Sequence, residues 1–434
     1  MNGAPGSRKM DTDLLIIGAG MAGMSAAVFA ANRGIKSVIT GAAGGFEYAS
    51  GLLDLWGLSL TRKKAVTRKP WDMLALLKEQ QPCHPYGKLE KEVISNAFSE
   101  LTGVLERNGL AYAGYPSLNH GVLTPFGTVH PSFRLPLGFK ANADAYKSKP
   151  PCLVLDFRGL REYSAQFFCE MLKKKWPQLS AGCMEFPETR LRAEVFTPFL
   201  ARAMETGQIQ DRFMEKVKPL LKGKSCLGVP SMLGIQSAEA IRRRLENELG
   251  VSVFEIPTSP VSVSGSRLKE ALVKALENTS VTRCLNQRVT RVLTASDNGF
   301  ECRLGAGQAE VVVRSKAVLM ATGRFLSKGL VTENYQVKEP LFNLPVCQAE
   351  NREMWHARDY FDLSGHLINR AGIETDLHFR PVDPDKGVVY KGLFAAGSIL
   401  AHQDWVRTKS GSGLAIATGF GAVNSCLQIV KETC

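Results

Sequence analysis

The chain has 434 residues, 44% hydrophobic and 22% charged, which gives ample length for two or three domains and a buried core. No run of eighteen apolar residues occurs, and the first ten residues lack the apolar core of a secretory signal, so a membrane-spanning helix is not expected and a cytoplasmic location is. The ten cysteines form no C-x-x-C pair, so zinc ribbons and ferredoxin-like clusters lack their sequence basis and reduced core thiols are expected. A net charge of +13 admits nucleic acid, an anionic membrane surface or acidic partners. The basic runs Arg62-Lys63-Lys64, Lys173-Lys174-Lys175 and Arg242-Arg243-Arg244 lack interleaved aromatics, which argues against a stacking platform for single strands and favours solvated helix faces.

In chain order, Leu14-Leu15-Ile16-Ile17 reads as a buried strand, Gly23 to Gly34 as a small-residue helix and Ser37-Val38-Ile39-Thr40 as the next parallel strand. The glycine-rich stretch Gly41 to Gly57 is expected to wrap around a ligand. Residues 71–110 read as mainly helical, with an apolar stripe of Trp71, Met73, Leu74 and Leu77. From about 115 to 285 short strands such as Cys152–Leu155 alternate with helices such as 266–277, and prolines from Pro116 to Pro151 cut the first part into loops. Arg288–Leu293, Gly299–Leu304 and Glu310–Val313 then fit an antiparallel meander joined by Asp297-Asn298-Gly299 and Gly305-Ala306-Gly307 turns. Ala317 to Gly323 reads as a buried strand ending in a tight turn, and 393–434 as a last strand and a closing helix.

The chemistry is concentrated in glycines. In Gly18-Ala19-Gly20-Met21-Ala22-Gly23 the first glycine permits a tight turn, the second lets backbone approach a phosphate, and the third lets helix pack on strand. The helix N-terminus at Met21 and Ala22 offers free N–H groups and partial positive charge to that phosphate. At the other end, Gly392-Leu393-Phe394-Ala395-Ala396-Gly397-Ser398 is followed by Gly411-Ser412-Gly413-Leu414, where a helix start can face a flavin ring. Together with Thr322-Gly323, these sites point to a flavin held between the termini. A customary carboxylate is missing, because Thr40 ends the second strand where an acid would hold a ribose. The stretch Gly392 to Ser398 resembles the last strand of flavoproteins, and that resemblance implies an acid at the ribityl chain where this chain has Ser398, whose hydroxyl can still bond.

The expected fold class is therefore α/β, a Rossmann-like FAD/NAD(P)-binding fold with an inserted α/β cap or substrate domain. The flavin-binding domain is read in three parts, 12–57, 286–330 and 391–434. Residues 58–285 hold a helical segment and the inserted cap, and 331–390 return to it.

Further stretches carry a more particular resemblance: Ser50-Gly51-Leu52-Leu53-Asp54-Leu55, His84-Pro85-Tyr86, Thr124-Pro125-Phe126-Gly127-Thr128, Pro257-Thr258 with Gly265-Ser266-Arg267-Leu268, and Phe325 to Val331. In this order along the chain they resemble the B-subunit family of anaerobic glycerol-3-phosphate dehydrogenase, whose second strand likewise lacks an acid. That resemblance implies oxidation of sn-glycerol 3-phosphate to dihydroxyacetone phosphate, with electrons passing to quinone. It implies FMN, whereas the complete fingerprint suits the pyrophosphate of FAD. It also implies a larger FAD-binding subunit, an iron–sulfur subunit that would supply the missing cysteine cluster, and peripheral placement at an inner membrane through those partners. The alternative is a non-catalytic flavin-bearing relay or assembly subunit.

Candidate catalytic residues follow from chemistry. Oxidation of a secondary alcohol needs a base, for which His84 and His402 are candidates, and a phosphate needs cations, for which Arg267, Arg324 and Lys409 are candidates. The expected cofactor contacts are Gly18, Gly20, Met21, Ala22, Gly23, Thr40, Ser50, Gly51, Thr322, Gly323, Gly397, Ser398, Gly411, Gly413 and Leu414.

Overall fold

A computed structural model describes residues 8–62, 65–189, 193–306, 310–362 and 364–432. The chain divides into two compact units, one of residues 1–44, 54–104 and 272–434, the other of residues 45–53 and 105–271.

The first unit is built on a seven-stranded sheet. Its path runs Val281–Leu285, Ser37–Gly41, Arg8–Ile17, Val311–Met320, Gly299–Leu304 and Val289–Ser296, and Leu393–Ala395 also pairs with Val311–Met320. The pairs of Arg8–Ile17, Ser37–Gly41, Val281–Leu285 and Leu393–Ala395 are parallel, and the Val289–Ser296 and Gly299–Leu304 meander is antiparallel. This is the α/β arrangement expected from the glycine fingerprint.

Two strands are longer than their apolar cores suggest. Arg8–Ile17 starts six residues before Leu14, and Val311–Met320 joins what read as two separate strands. The reason lies in the partner. Arg8–Thr12 pairs with Val311–Ser315, and Leu14–Ile17 pairs with Ala317–Met320, so one long ladder serves the meander at one end and the parallel sheet at the other. Only the second half is enclosed on both faces, so only that half reads as a continuous apolar run.

The helix Met21–Asn32 packs against the closing helix Gly411–Glu432 through small side chains. A Cβ on Gly419 would lie 3.2 Å from the Ala22 carbonyl oxygen. The stretch Gly411–Lys431 has the length and mean hydropathy, 1.4, to cross a membrane, yet 72% of it is buried inside the protein. Its apolar character is accounted for by core packing.

Residues 71–110 form two helices, Pro70–Gln80 and Lys91–Arg107, separated by a turn at Pro85–Lys88. Met73, Leu74 and Leu77 are buried, while Trp71 is half-buried beneath the ammonium of Lys91. Residues 58–104 and 331–390 fall in this first unit, whereas the sequence reading grouped 58–104 with the helical segment and inserted cap and 331–390 with the return to the cap.

The second unit has its own parallel sheet, in the order Ser252–Ile256, Cys226–Pro230, Cys152–Phe157 and Leu179–Met184. One face is packed by Leu155, Phe157, Phe186, Phe213, Leu227 and Val229, and the other by Val154, Phe168, Trp176, Phe254 and Ile256. The helix expected at 266–277 runs from Val263 to Ala275. On the helix Ala238–Leu249, Arg242, Arg243 and Arg244 are all ion-paired to carboxylates, and Lys173 to Lys175 are exposed. Lys63, Lys64 and Gly307, parts of a basic run and a turn read from the sequence, lie outside the described residues.

Candidate functional site

The first unit brings the two ends of the chain together at the C-terminal edge of its parallel strands. Gly18 follows the strand Arg8–Ile17 at φ +118°, where a Cβ would stand 2.1 Å from the Ala321 carbonyl oxygen. Gly23 sits in the first turn of the helix, and its Cβ would fall 1.7 Å from the Gly18 carbonyl oxygen. Both positions are closed to any side chain. Gly20 differs, because its Cβ would meet nothing within 4 Å.

Gly20 is also the N-cap of the helix, with no side-chain cap and no acidic residue in the first turn. The N–H groups at Met21 and Ala22 therefore face a glycine with open space beside it, which suits a phosphate.

The back motif meets this turn directly. Gly397, at φ +78°, lies so close to Ala22 that a Cβ would come within 2.6 Å of the alanine Cβ, and the Gly397 N–H donates to Thr418 Oγ1 at 2.9 Å. Thr322 and Gly323 leave the neighbouring strand here. Gly323 turns at φ +70°, and a Cβ there would be 3.7 Å from Ser398 Oγ. Thr322 Oγ1 is buried and makes no hydrogen bond.

Thr40 is fully buried and donates its hydroxyl to the Gln287 carbonyl oxygen at 2.8 Å. It braces the sheet edge, so its hydrogen is not available to a ribose.

A second focus surrounds the start of the closing helix. Asp54 N–H donates to Ser412 Oγ at 2.7 Å, and Gly413 N–H donates to the Asp54 carbonyl oxygen at 2.8 Å. Tyr86 donates its hydroxyl to the Leu55 carbonyl oxygen at 3.1 Å. A Cβ on Gly413 would be 2.4 Å from the Asp54 oxygen and 2.6 Å from the Tyr86 hydroxyl, while one on Gly411 would strike the Trp405 ring at 2.7 Å. Two motifs near the front of the chain thus interlock with a third more than three hundred residues on, and Leu414 is buried behind them.

Beside this focus lies a polar cluster that the sequence reading found only in part. His84 is 2% exposed, stacks on Tyr86 at 5.8 Å and meets the Trp56 edge at 5.7 Å. Its Nδ1 accepts the Tyr86 N–H at 3.1 Å. Burial, helped by the charges of His402, Lys88 and Arg370, pushes the ring down to about 3.

His402, at φ +65°, is held by Glu374, which also takes Lys88 Nζ at 2.7 Å. The Cys347 thiol and the Glu374 carboxylate push His402 up to about 10. Burial alone would raise Glu374, but the hydrogen bonds from His402 and Lys88 prevail and hold its carboxyl down at about 2.

Neither histidine is therefore poised as the base that sequence reasoning assigned. His402 Nε2 is engaged by Glu374, and the Nδ1 lone pair of His84 is taken. Lys88, Arg370 and Glu374 escaped that reasoning. Lys88 lies just two residues past a quoted motif, but nothing local marks Glu374, which reaches His402 from 28 positions upstream.

The proposed cations are mostly engaged. Arg324 donates to the carbonyl oxygens of Asn369, Ile368 and Ala371, the last two at 2.8 Å, and burial lowers it to about 10. It clamps the loop that carries Arg370. Lys409 follows the turn Trp405–Thr408 in a left-handed conformation, half-buried.

The remaining candidates belong to the second unit. Arg267 is 4% exposed and forms a bidentate pair with Glu255, at 2.5 and 2.9 Å, while its Nε donates to the Gly234 carbonyl oxygen. Glu255 also accepts the Met232 and Leu233 N–H groups, so this guanidinium is a core fastener rather than the free phosphate-binding cation expected from the sequence. Ser50 accepts the Ser264 hydroxyl on its carbonyl oxygen at 2.7 Å, and Gly51 at φ +74° abuts Ser264. Here the Ser50-Gly51 motif packs on the residue that precedes the Gly265-to-Leu268 motif. Among the described residues, no group of three or more His, Cys, Asp or Glu is placed to hold a metal ion.

The glycine geometry has a counterpart in sequence: the family model described as FAD binding domain matches residues 13–414. The chain belongs to that FAD-binding family. Within it, the chain is similar to the protein named as the B subunit of anaerobic glycerol-3-phosphate dehydrogenase in Pectobacterium atrosepticum, 27% identical over 98% of this chain and 99% of that one. The protein of the same name from Aliivibrio fischeri is 27% identical over 96% of each chain, and the probable one of Halobacterium salinarum 25% over 98% and 99%. Among solved structures, 3-ketosteroid delta1-dehydrogenase from Sterolibacterium denitrificans aligns over 97% of this chain and all of its own, with 11% identity and a TM-score of 0.42. Sdh1 of Mycobacterium smegmatis aligns over 98% of this chain and 69% of its own, with 12% identity and a TM-score of 0.39. The residues of the first unit fit the flavin this family binds: an uncapped helix start, an open Gly20 and the buried, unbonded Thr322 hydroxyl.

Proposed function

We propose that this chain is an FAD-carrying subunit of a glycerol-3-phosphate dehydrogenase, working with a larger FAD-binding subunit and an iron–sulfur subunit that pass electrons to quinone. The observation that carries the reading is the closure of Gly397 on Ala22, which gathers both glycine sites of the chain around one uncapped helix N-terminus. In this reading Gly18, Gly20, Met21, Ala22 and Gly23 cradle the pyrophosphate, which favours FAD over FMN. Thr322, Gly323, Gly397 and Ser398 line the ribityl chain, and Gly411, Gly413 and Leu414 present the closing helix to the ring. Bound flavin supplies the acceptor for the hydride of the alcohol. Lys88, Arg370 and His402 supply positive charge suited to a phosphorylated substrate.

One observation favours a second reading, a relay protein that carries flavin without oxidising the alcohol itself. The hydroxyl proton of the substrate needs a base, and in this chain His84 and His402 are both committed to other partners.

Anaerobic addition of sn-glycerol 3-phosphate to the FAD-reconstituted chain tests both. Bleaching of the visible flavin band in the isolated chain supports the first reading, and bleaching only with the partner subunits present supports the second. A chain that takes up no flavin overturns both.

A further inference from the structure

The loop carrying His84 fixes not only the position of the ring but also its proton. Nδ1 accepts the Tyr86 N–H at 3.1 Å, and a nitrogen that accepts cannot itself carry hydrogen. The single proton of the neutral ring therefore sits on Nε2. The ring cannot swing away, because Tyr86 stacks on one face and the Trp56 edge packs against it. Nε2 is buried and makes no hydrogen bond. A buried N–H without an acceptor is rare in a folded protein and calls for a partner.

The surroundings indicate the sign of that partner. Lys88, Arg370 and His402 all act on the ring as positive charges. The carboxylate beside them, Glu374, is already bonded to Lys88 and His402. An acceptor at Nε2 that is anionic gains from the whole group, whereas a neutral one gains only the single bond.

We propose that His84 Nε2–H is a fixed, neutral donor to an anionic oxygen of a small phosphorylated ligand, with Lys88 and His402, whose own donors go to Glu374 and Thr375, contributing only nearby positive charge. The choice of a phosphorylated ligand rests on the functional reading above. In this role His84 selects and orients the ligand, and it takes no proton from it.

Two substitutions separate the two faces of the ring. His84→Asn keeps an oxygen where Nδ1 accepts the Tyr86 N–H and removes the deep donor. His84→Gln reaches the Nε2 position with an amide N–H and gives up the Nδ1 acceptor. Nitrogen-15 histidine spectra of the FAD-loaded chain, with the His84 signals assigned by their loss in H84N, report which nitrogen bears hydrogen. Inorganic phosphate and sn-glycerol 3-phosphate are the probes.

The expected result is hydrogen on Nε2, a shift of that resonance on adding either probe, binding weakened roughly tenfold or more in H84N, and partial recovery in H84Q. Hydrogen on Nδ1, or a resonance that neither probe moves, overturns the proposal. If H84N does not fold, the spectra of the parent chain still decide, with the signals assigned in H84Q. A resonance that moves with inorganic phosphate, in a chain whose flavin glycerol 3-phosphate does not reduce with or without partners, leaves this inference standing and removes the functional reading beneath it.

Discussion

Glu374 Oε2 holds His402 Nε2, and with Lys88 on its other oxygen Glu374 is the hub of the polar cluster. The consequence for pH follows from the two directions. His402 is raised from 6.5 to about 10, so its contribution to stability is complete below about pH 6.5 and is lost as pH rises through 10. Glu374 is lowered from 4.5 to about 2, so its contribution is complete above about pH 4.5 and is lost as pH falls through 2. Glu374→Gln is expected to bring His402 back toward its ordinary range, read by NMR titration of the ring. An unchanged titration would mean that the carboxylate does not hold the charge.

His84 gives a slope opposite to that of His402 and of the same sign as that of Glu374. Its ring is lowered from 6.5 to about 3, so the folded state resists protonation that the unfolded state accepts. Its stabilising effect is complete above pH 6.5 and declines as pH falls, at a limiting slope of about 1.4 kcal/mol per pH unit for one proton. Denaturant unfolding between pH 6.5 and 4 is expected to show this loss, and H84N to flatten it.

The fingerprint glycines divide into two kinds. Gly23→Ala forces a Cβ into the Gly18 carbonyl and is expected to disrupt folding of the first unit. Gly20→Ala meets no protein atom, so thermal stability without flavin should be unchanged while FAD affinity falls tenfold or more. Equal FAD affinity in G20A would place the phosphate elsewhere.

The start of the closing helix is tested by Gly413→Ala. Its Cβ would clash with the Asp54 carbonyl oxygen and the Tyr86 hydroxyl, and overpacking of this kind costs about 1–3 kcal/mol. Chemical denaturation should show that loss.

Arg267 is expected to matter for stability rather than for ligand binding. Arg267→Met leaves Glu255 charged, buried and without its cation, a change that costs about 3–5 kcal/mol. Flavin content in the protein that does fold should equal that of the parent.

The parts of the molecule legible in the sequence are those written in local pattern. The strand, turn and helix around Gly18 and Gly23 follow from a buried apolar run and small residues at fixed spacing, and the structure adds only the reason each glycine is required. The N-terminal half of Arg8–Ile17 was hidden because Lys9, Asp11 and Asp13 give it no apolar run, its partner Val311–Ser315 being visible only in three dimensions. The states of His84 and His402 were hidden for a related reason. Their types marked them as bases, but their protons are set by the Tyr86 backbone and by Glu374, and neither contact has a sequence signature. Arg267 likewise read as a candidate cation for a phosphate because its partner Glu255 lies on another element, twelve residues back.

We propose that this chain binds FAD at the joined glycine sites and that this flavin exchanges electrons with a phosphorylated alcohol. The most direct test is the visible spectrum of the FAD-reconstituted chain, with its partner subunits, during anaerobic titration with sn-glycerol 3-phosphate. Bleaching of the flavin of this chain is expected in wild type, and in G20A it is expected to fall in proportion to the lower FAD occupancy. A flavin that stays oxidised in the wild-type complex, while dithionite reduces it, would contradict the account.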